Sequence, residues 1–132
     1  MSTSGGAQAR RRCVLLADPD AERRRATAIH LRLGGYRVVE AAALREIPEA
    51  AREGIDILVS EAQLADGSAL AYAAFLRRDA RTAALPILIA THDPDEARKA
   101  ASALGEQGAL ELPASPSALL DRVGELLARS AG

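Results

Sequence analysis

The sequence GIDILVSEAQLADG, residues 54–67, decides the fold of this chain. Its first half, residues 55–60, has the apolar character of a strand buried inside a parallel sheet. A polar residue, Glu61, follows at once, and the dipeptide Asp66-Gly67 marks a turn shortly afterwards. Chemistry in open parallel sheets takes place just beyond the carboxyl ends of the strands, so Glu61 lies where a functional residue is expected.

Short apolar runs alternate with amphipathic segments on both sides of this stretch. The predicted strands are residues 13–17, 36–40, 55–60, 86–91 and 109–112. The predicted helices are residues 21–33, 44–52, 68–78, 95–104 and a last helix that begins after Ser115-Pro116. Five strands alternating with five helices through short loops predict a doubly wound α/β fold, with helices on both faces of a parallel sheet.

Composition excludes several classes of protein. The 132 residues suffice for one domain, which we place at residues 11–130 after a disordered arm at residues 1–10. The only cysteine, Cys13, excludes an internal disulfide and is expected to be a small buried thiol. The sequence has no apolar run long enough to cross a membrane, and its N-terminus lacks the apolar core of a signal peptide. We therefore expect a cytoplasmic protein. With a net charge of -1 and few aromatic residues, its arginine clusters indicate a solvated surface, and no nucleic-acid partner is expected.

Four residues are predicted to meet at the carboxyl edge of the sheet. They are Asp18, Glu61, Thr91 and Leu112, which follow or end four of the strands. Two carboxylates and a hydroxyl at one edge are typical of a cation or phosphate site. A leucine at the fourth corner argues against such a site.

Five segments carry a resemblance to a known family. They are LLADPD after the first strand, GYRVVEA at the second, DILVSEAQLADGSAL around the third, LPILIAT at the fourth and LELPASPSALLDRV at the end. In this order and spacing, they make the chain from about Arg12 to Arg129 resemble the receiver domain of two-component response regulators. The resemblance implies a (βα)5 flavodoxin-like, receiver-like sheet of strand order 2-1-3-4-5. It also implies a role in bacterial signalling.

The residues that the family uses for phosphoryl transfer are mostly changed. Receivers hold Mg²⁺ with two adjacent acids after the first strand, and these positions are Asp18 and Pro19 here. The phosphoacceptor aspartate falls on Glu61, whose extra methylene moves the carboxylate by more than an ångström; a 1 Å misplacement can cost about 10²-fold in rate.

The rest of the family's pattern is also altered. The switch hydroxyl is kept as Thr91, but the lysine that pairs with the phosphoryl group falls on Leu112, which cannot donate to a phosphate. The switch aromatic falls on Ala109 and a loop proline on Ala65. These changes agree with one another and indicate a pseudo-receiver that has abandoned phosphoryl transfer.

The favoured prediction is a phosphorylation-independent protein-interaction module in bacterial-type signalling or protein targeting, which is not an enzyme and holds no cofactor. The alternative is an atypical response regulator phosphorylated on Glu61, with weak Mg²⁺ binding by Asp18 and Glu61. A third reading, a flavodoxin-like cofactor binder, rests on fold analogy alone. Three roles remain open for Glu61. It mimics a phosphorylated aspartate, it accepts a phosphoryl group slowly, or it is a structural carboxylate that is hydrogen-bonded to Thr91 or to loop amides.

If the pocket at the strand ends does not transfer phosphoryl groups, we expect the function to lie on a surface that binds a protein partner in a signalling or localisation pathway. Receivers commonly signal through helix four, strand five and helix five, and a homodimer through this face stays open. Its expected exposed residues are Arg98, Ala101, Ala109, Glu111, Asp121 and Arg122. In helix one, Ile29, Leu31 and Leu33 cannot all face the sheet. Leu31 and Leu33 are therefore a second candidate surface, beside Tyr36.

Overall fold

A computed structural model, which describes residues 11–131, contains one five-stranded parallel sheet. The strands are β1 (Cys13–Ala17), β2 (Arg37–Ala41), β3 (Ile57–Ser60), β4 (Ile87–Thr91) and β5 (Ala109–Glu111), and their order in the sheet is β2-β1-β3-β4-β5. The helices are α1 (Ala21–Leu33), α2 (Ile47–Ala51), α3 (Ala69–Leu76), α4 (Pro94–Leu104) and α5 (Pro116–Ala131). The predicted doubly wound α/β fold and its strand order are confirmed. The predicted disordered arm, residues 1–10, lies outside the described residues.

Side-chain caps explain why three helices begin where they do. The carboxylate of Asp20 accepts the amide of Arg23 at 2.9 Å at the start of α1. Asp93 caps α4 by accepting the amide of Asp95 at 2.9 Å, and Ser68 caps α3. Each cap satisfies an amide that the first helical turn leaves without a partner, which is why the sequence predicted these starts within a residue or two.

The core consists of two apolar layers, one on each face of the sheet. Alternate residues of β1 point to opposite faces, as the pleat of a strand requires. One layer lies under α1 and α5 and includes Val14, Leu16, Ala28, Leu31, Ile57, Val59, Leu88, Leu119, Val123 and Leu127. The other lies under α2, α3 and α4 and includes Leu15, Ala17, Ile47, Leu58, Ala73, Leu76, Ile87, Ile89 and Ala100.

Most element bounds agree with the sequence prediction to within two residues, and three details near β3 and after β2 are new. Strand β3 begins at Ile57 and not at residue 55, because Asp56 binds the first residue of β1: its amide donates to the carbonyl of Cys13 at 2.8 Å, and its carboxylate accepts the amide of Cys13 at 2.7 Å. The predicted helix 44–52 divides into a 3₁₀ turn, Leu44–Glu46, and the short helix α2. A small antiparallel hairpin, Gln63–Leu64 with Gly67–Ser68, follows β3.

One predicted surface residue is wrong. Leu31 is fully buried in the layer under α1, so it is not available to a partner. The exposed apolar side chains of α1 are instead Ile29 and Leu33, at 50% and 80% exposure. They lie four residues apart, and therefore on one side of the helix.

The predicted face of α4, β5 and α5 is only partly available. Arg98, Glu111 and Asp121 are exposed, whereas Ala101 is half-buried. Arg122 is also half-buried, and its guanidinium donates to the carbonyls of Ala109, Gln107 and Glu106, so much of its hydrogen-bonding capacity is used inside the domain. Among residues 11–131, no helix combines the length and apolar character needed to cross a membrane.

Candidate functional site

The carboxyl edge of the sheet brings three charged side chains together. Asp18 directly follows β1 and is buried, and Glu61 directly follows β3 with a side chain that is 13% exposed. Since β1 and β3 are hydrogen-bonded neighbours, their ends bring the two acids to the same place. The third side chain is that of Arg23, which projects from the first turn of α1.

Arg23 holds Asp18 through a two-pronged ion pair. Its Nε donates to Asp18 Oδ2 at 2.7 Å and its Nη2 donates to Asp18 Oδ1 at 2.6 Å. Asp18 Oδ1 also accepts the amide of Asp20 at 2.9 Å. The hydrogen bond to Asp18 raises the pKa of Arg23 above its ordinary value, so the guanidinium is charged at every working pH. Both oxygens of Asp18 are therefore engaged within the chain.

Glu61 is held by its own loop and by the same arginine. Its Oε1 accepts the amide of Ala62 at 2.6 Å, and its Oε2 lies 3.8 Å from Arg23 Nη2. The backbone around it is fixed as well, because the amide of Glu61 donates to the carbonyl of Ala17 at 2.9 Å. This arrangement matches the structural carboxylate bonded to loop amides that the sequence left open.

Thr91 takes part in a different interaction from the one considered. Its side chain is buried, and its Oγ1 accepts the amide of Asp93 at 3.2 Å in the turn that leads into α4. Within the described part of the chain, no hydrogen bond joins Thr91 to Glu61. The hydroxyl thus stabilises the end of β4.

The other positions considered in the sequence, Pro19, Leu112 and Ala109, lie around this cluster and carry no polar side-chain groups. Pro19 is exposed and offers no side-chain oxygen. Leu112 follows β5, and its amide donates to the carbonyl of Thr91 at 2.8 Å; the peptide bond between Leu112 and Pro113 is cis. Ala109 is half-buried in β5 opposite Ile89.

A cavity of about 260 Å³ lies beside the charged cluster, between α1 and the loop that joins β5 to α5. Its lining is mainly apolar, with Arg23, Asp18, Thr27, Ser115 and two histidines as the polar groups. The lining residues are Leu16, Asp18, Arg23, Thr27, His30, Val59, Ala90, His92, Leu112, Pro113, Ala114, Ser115, Pro116 and Leu119. Leu112 gives apolar character to the wall where the family pattern would place an ammonium group.

The residues at this edge do not fit the divalent cation that the receiver fold implies. Mg²⁺ requires carboxylate oxygens that are free to coordinate it, in near-octahedral geometry. Here both carboxylate oxygens of Asp18 accept hydrogen bonds from Arg23, and Pro19 has no side-chain oxygen that could bind a metal. Residues 11–131 also contain no group of three or more His, Cys, Asp or Glu side chains arranged to hold a metal.

Sequence reasoning missed two residues. Arg23 belongs to a triplet, Arg23–Arg25, that is one of the arginine clusters interpreted above as a solvated surface; its place in the first helical turn, five residues after a strand-end acid, was an available signal. Phe75, on α3, is 58% exposed and lies next to Tyr72, with ring centroids 5.6 Å apart. The pattern of α3 gave no reason to expect an exposed aromatic there.

The fold is that of known receiver domains. A sensor protein from Polaromonas sp. JS666 superposes with a TM-score of 0.79 at 21% identity, over 91% of this chain and 98% of that one. The chemotaxis response regulator CheY4 of Vibrio cholerae gives 0.76 at 24% identity, over 88% and 98% of the two chains. A response regulator receiver protein from Pseudomonas putida gives 0.75 at 26% identity, over 87% and 97%. Searches of protein-family models and of curated proteins gave no match.

These neighbours identify the fold. The chain has the fold of response regulator receiver domains. The order of its strands and the position of its acidic cluster at their carboxyl ends follow from that fold.

Proposed function

We propose that this chain is a pseudo-receiver, a protein-interaction module that acts in bacterial-type signalling or protein targeting without phosphoryl transfer. One observation carries the proposal: the carboxylates of Asp18 and Glu61 already have their partners inside the chain, in Arg23 and in the amide of Ala62. A carboxylate that accepts such bonds is a poor attacking group, because an attack must first break them.

The changed side chains around the acids support the same function. Phosphoryl transfer depends on cations placed where negative charge develops. By resemblance, two of the groups that would supply or bind these cations are Pro19 and Leu112, and neither carries a polar side-chain atom. The guanidinium of Arg23, which lies 3.8 Å from a carboxylate oxygen of Glu61, is held by Asp18.

Two surfaces are candidates for the partner. The first is the face of α4, β5 and α5, where Arg98, Glu111 and Asp121 are exposed. The second is the pair Ile29 and Leu33 on α1, because exposed apolar side chains on one side of a helix are typical of interaction sites. Protein binding through either surface needs no change at the carboxyl edge of the sheet.

Intact mass spectrometry tests the loss of phosphoryl transfer. The wild-type protein is incubated with acetyl phosphate and Mg²⁺, beside an E61Q variant that lacks the candidate acceptor. We expect no phosphoryl adduct on either protein. An adduct on the wild type that is missing from E61Q would establish Glu61 as a phosphoacceptor and overturn the proposal.

Paired surface variants test the interaction. I29E/L33E alters α1, and R98E/D121R alters the other face, all at exposed positions. For a partner captured by the wild type, we expect one pair to abolish binding and E61Q to retain it, with unchanged circular dichroism throughout. Binding that survives both pairs, or that is lost in E61Q, would contradict a phosphorylation-independent surface.

A further inference from the structure

Arg23 lies in the middle of a cluster of acids. Its guanidinium binds both oxygens of Asp18, and its nitrogens also lie 3.8 Å from a carboxylate oxygen of Glu61 and 3.8 Å from one of Asp20. Asp18 and Glu61 thus share one guanidinium nitrogen, Nη2, as a common neighbour. Three carboxylates converge on a single positive group.

The second nearby arginine does not share this task. Arg24 donates from Nη1 to the backbone carbonyl of Asp18 at 2.7 Å and from Nε to the carboxylate of Glu40 at 3.0 Å. Its charge is therefore directed towards β2. Arg25, the third residue of the triplet, is exposed and has no ion pair among residues 11–131. Only Arg23 of the three compensates the side-chain charge of Asp18 and Glu61.

The two acids need this compensation. Their side chains are 10% and 13% exposed, so water screens their mutual repulsion only weakly. Buried carboxylates in proteins are paired with cations or bind metals. In receivers that place is taken by a divalent ion, which does not fit the arrangement found here.

We infer that Arg23 is the resident cation of this site: its guanidinium occupies the place of a divalent ion between Asp18 and Glu61, and the site takes no metal while Arg23 is there. The inference rests on the proposed function and adds its physical cause. It also has a converse. Without the guanidinium, two nearly buried carboxylates face each other, and the site becomes able to bind a divalent cation through oxygens.

The test compares R23Q with R25Q, which removes an arginine of the same triplet from an exposed position. Thermal unfolding is followed while MgCl₂ or CaCl₂ is added, with NaCl at equal ionic strength as the reference. We expect the wild type and R25Q to show no cation-specific change in Tm. R23Q should unfold at a Tm lower by about 5 °C or more, and divalent cations should restore stability saturably at roughly millimolar concentrations.

A double variant shows whether the cation binds where the inference places it. R23Q/E61Q removes one of the two facing carboxylates, so it should be more stable than R23Q and should lose at least about tenfold in cation affinity. If R23Q does not fold in plain buffer, its refolding in MgCl₂ is compared with refolding in NaCl; recovery with the divalent salt alone supports the inference. Equal recovery in both salts counts against it.

Two results would overturn the inference. One is a saturable response of the wild type to Mg²⁺; the other is an R23Q protein whose Tm and cation response equal those of R25Q. The proposed function fails by a separate result, a phosphoryl adduct on Glu61 of the wild type. If the stability of R23Q does not respond to divalent cations, the inferred role of Arg23 is wrong, but the proposed loss of phosphoryl transfer is unaffected.

Discussion

Arg23 and Asp18, five residues apart, are joined by two parallel hydrogen bonds between a guanidinium and a carboxylate. Such a pair is both stronger and more directional than a contact with a lysine ammonium. Its geometry follows from the local fold, since Asp18 directly follows β1 and Arg23 projects from the first turn of α1. The same turn is held by the cap that Asp20 provides. The position of the cation is therefore built into the β1–α1 connection.

Replacing Glu61 by aspartate should not restore a phosphoacceptor. E61D corrects the length of the side chain but leaves Arg23 on Asp18, Pro19 without an oxygen and Leu112 without a charge. We expect no phosphoryl adduct by intact mass after incubation with acetyl phosphate and Mg²⁺. A stoichiometric adduct on E61D would mean that the length of this one side chain was the sole obstacle.

Leu31 and Leu33 should differ sharply in their contribution to stability. Leu31 is fully buried, so L31A should lower the free energy of unfolding by about 2–5 kcal/mol through lost burial and a cavity. Leu33 is 80% exposed, and L33A should change it by less than about 0.5 kcal/mol. Urea denaturation measures both. Equal effects would show that α1 is rotated relative to the structure described here.

Asp66 should make stability depend on pH. Its carboxylate accepts the amides of Leu44 at 2.7 Å and Arg45 at 3.0 Å, and these bonds, that of Leu44 first, lower the pKa of Asp66 below 3.8. A depressed pKa in the folded state stabilises the protein above pH 3.8, and the contribution is lost as the pH falls through the folded value.

The D66N variant tests this contribution by chemical denaturation at several pH values. It should be less stable than the wild type at neutral pH, and the difference should shrink as the pH falls below 3.8. D121N, at an exposed carboxylate with no hydrogen bond among residues 11–131, is the control. If the difference in the free energy of unfolding between the wild type and D66N is the same at every pH, the loss of stability comes from changed packing and not from the charge of Asp66.

Two glycines should respond in opposite ways to alanine. Gly124 is within α5, and an added Cβ would lie 3.9 Å from the Tyr36 hydroxyl, an ordinary van der Waals contact, so G124A should stabilise by about 0.5–1 kcal/mol. At Gly108 a Cβ would come 2.6 Å from the Cβ of Leu104, and G108A should destabilise by about 1–3 kcal/mol. Thermal unfolding of both variants measures the signs. A destabilising G124A would indicate a tighter contact between α5 and Tyr36.

The sequence predicted the sheet well because its signals are local. The cap at Asp20 and the glycine pair after Leu33 set the ends of α1 to the residue. The start of β3 was placed two residues early because the bonds between Asp56 and Cys13 join residues that are 43 apart in the chain. A window of sequence contains no trace of such a contact.

The site was harder to predict than the fold. The positions of Asp18, Glu61 and Leu112 at strand ends followed from the alternation of elements, but the partner of Asp18 did not. Arginines 23, 24 and 25 look alike in a sequence, and only the pitch of α1 turns the first of them onto the carboxylates. The same applies to α1: periodicity showed that Ile29, Leu31 and Leu33 could not all face the sheet, but it did not show that Leu31 is the one that is buried.

The positive charge at this site belongs to Arg23, which is part of the polypeptide. Unlike a bound ion or a phosphoryl group, it cannot leave the site. Under the proposed function, Glu61 carries no phosphoryl group that a phosphatase could remove. The fraction of the partner that is bound then depends on the concentration of this protein relative to the dissociation constant. Synthesis and degradation of the protein would accordingly determine how long the partner stays bound.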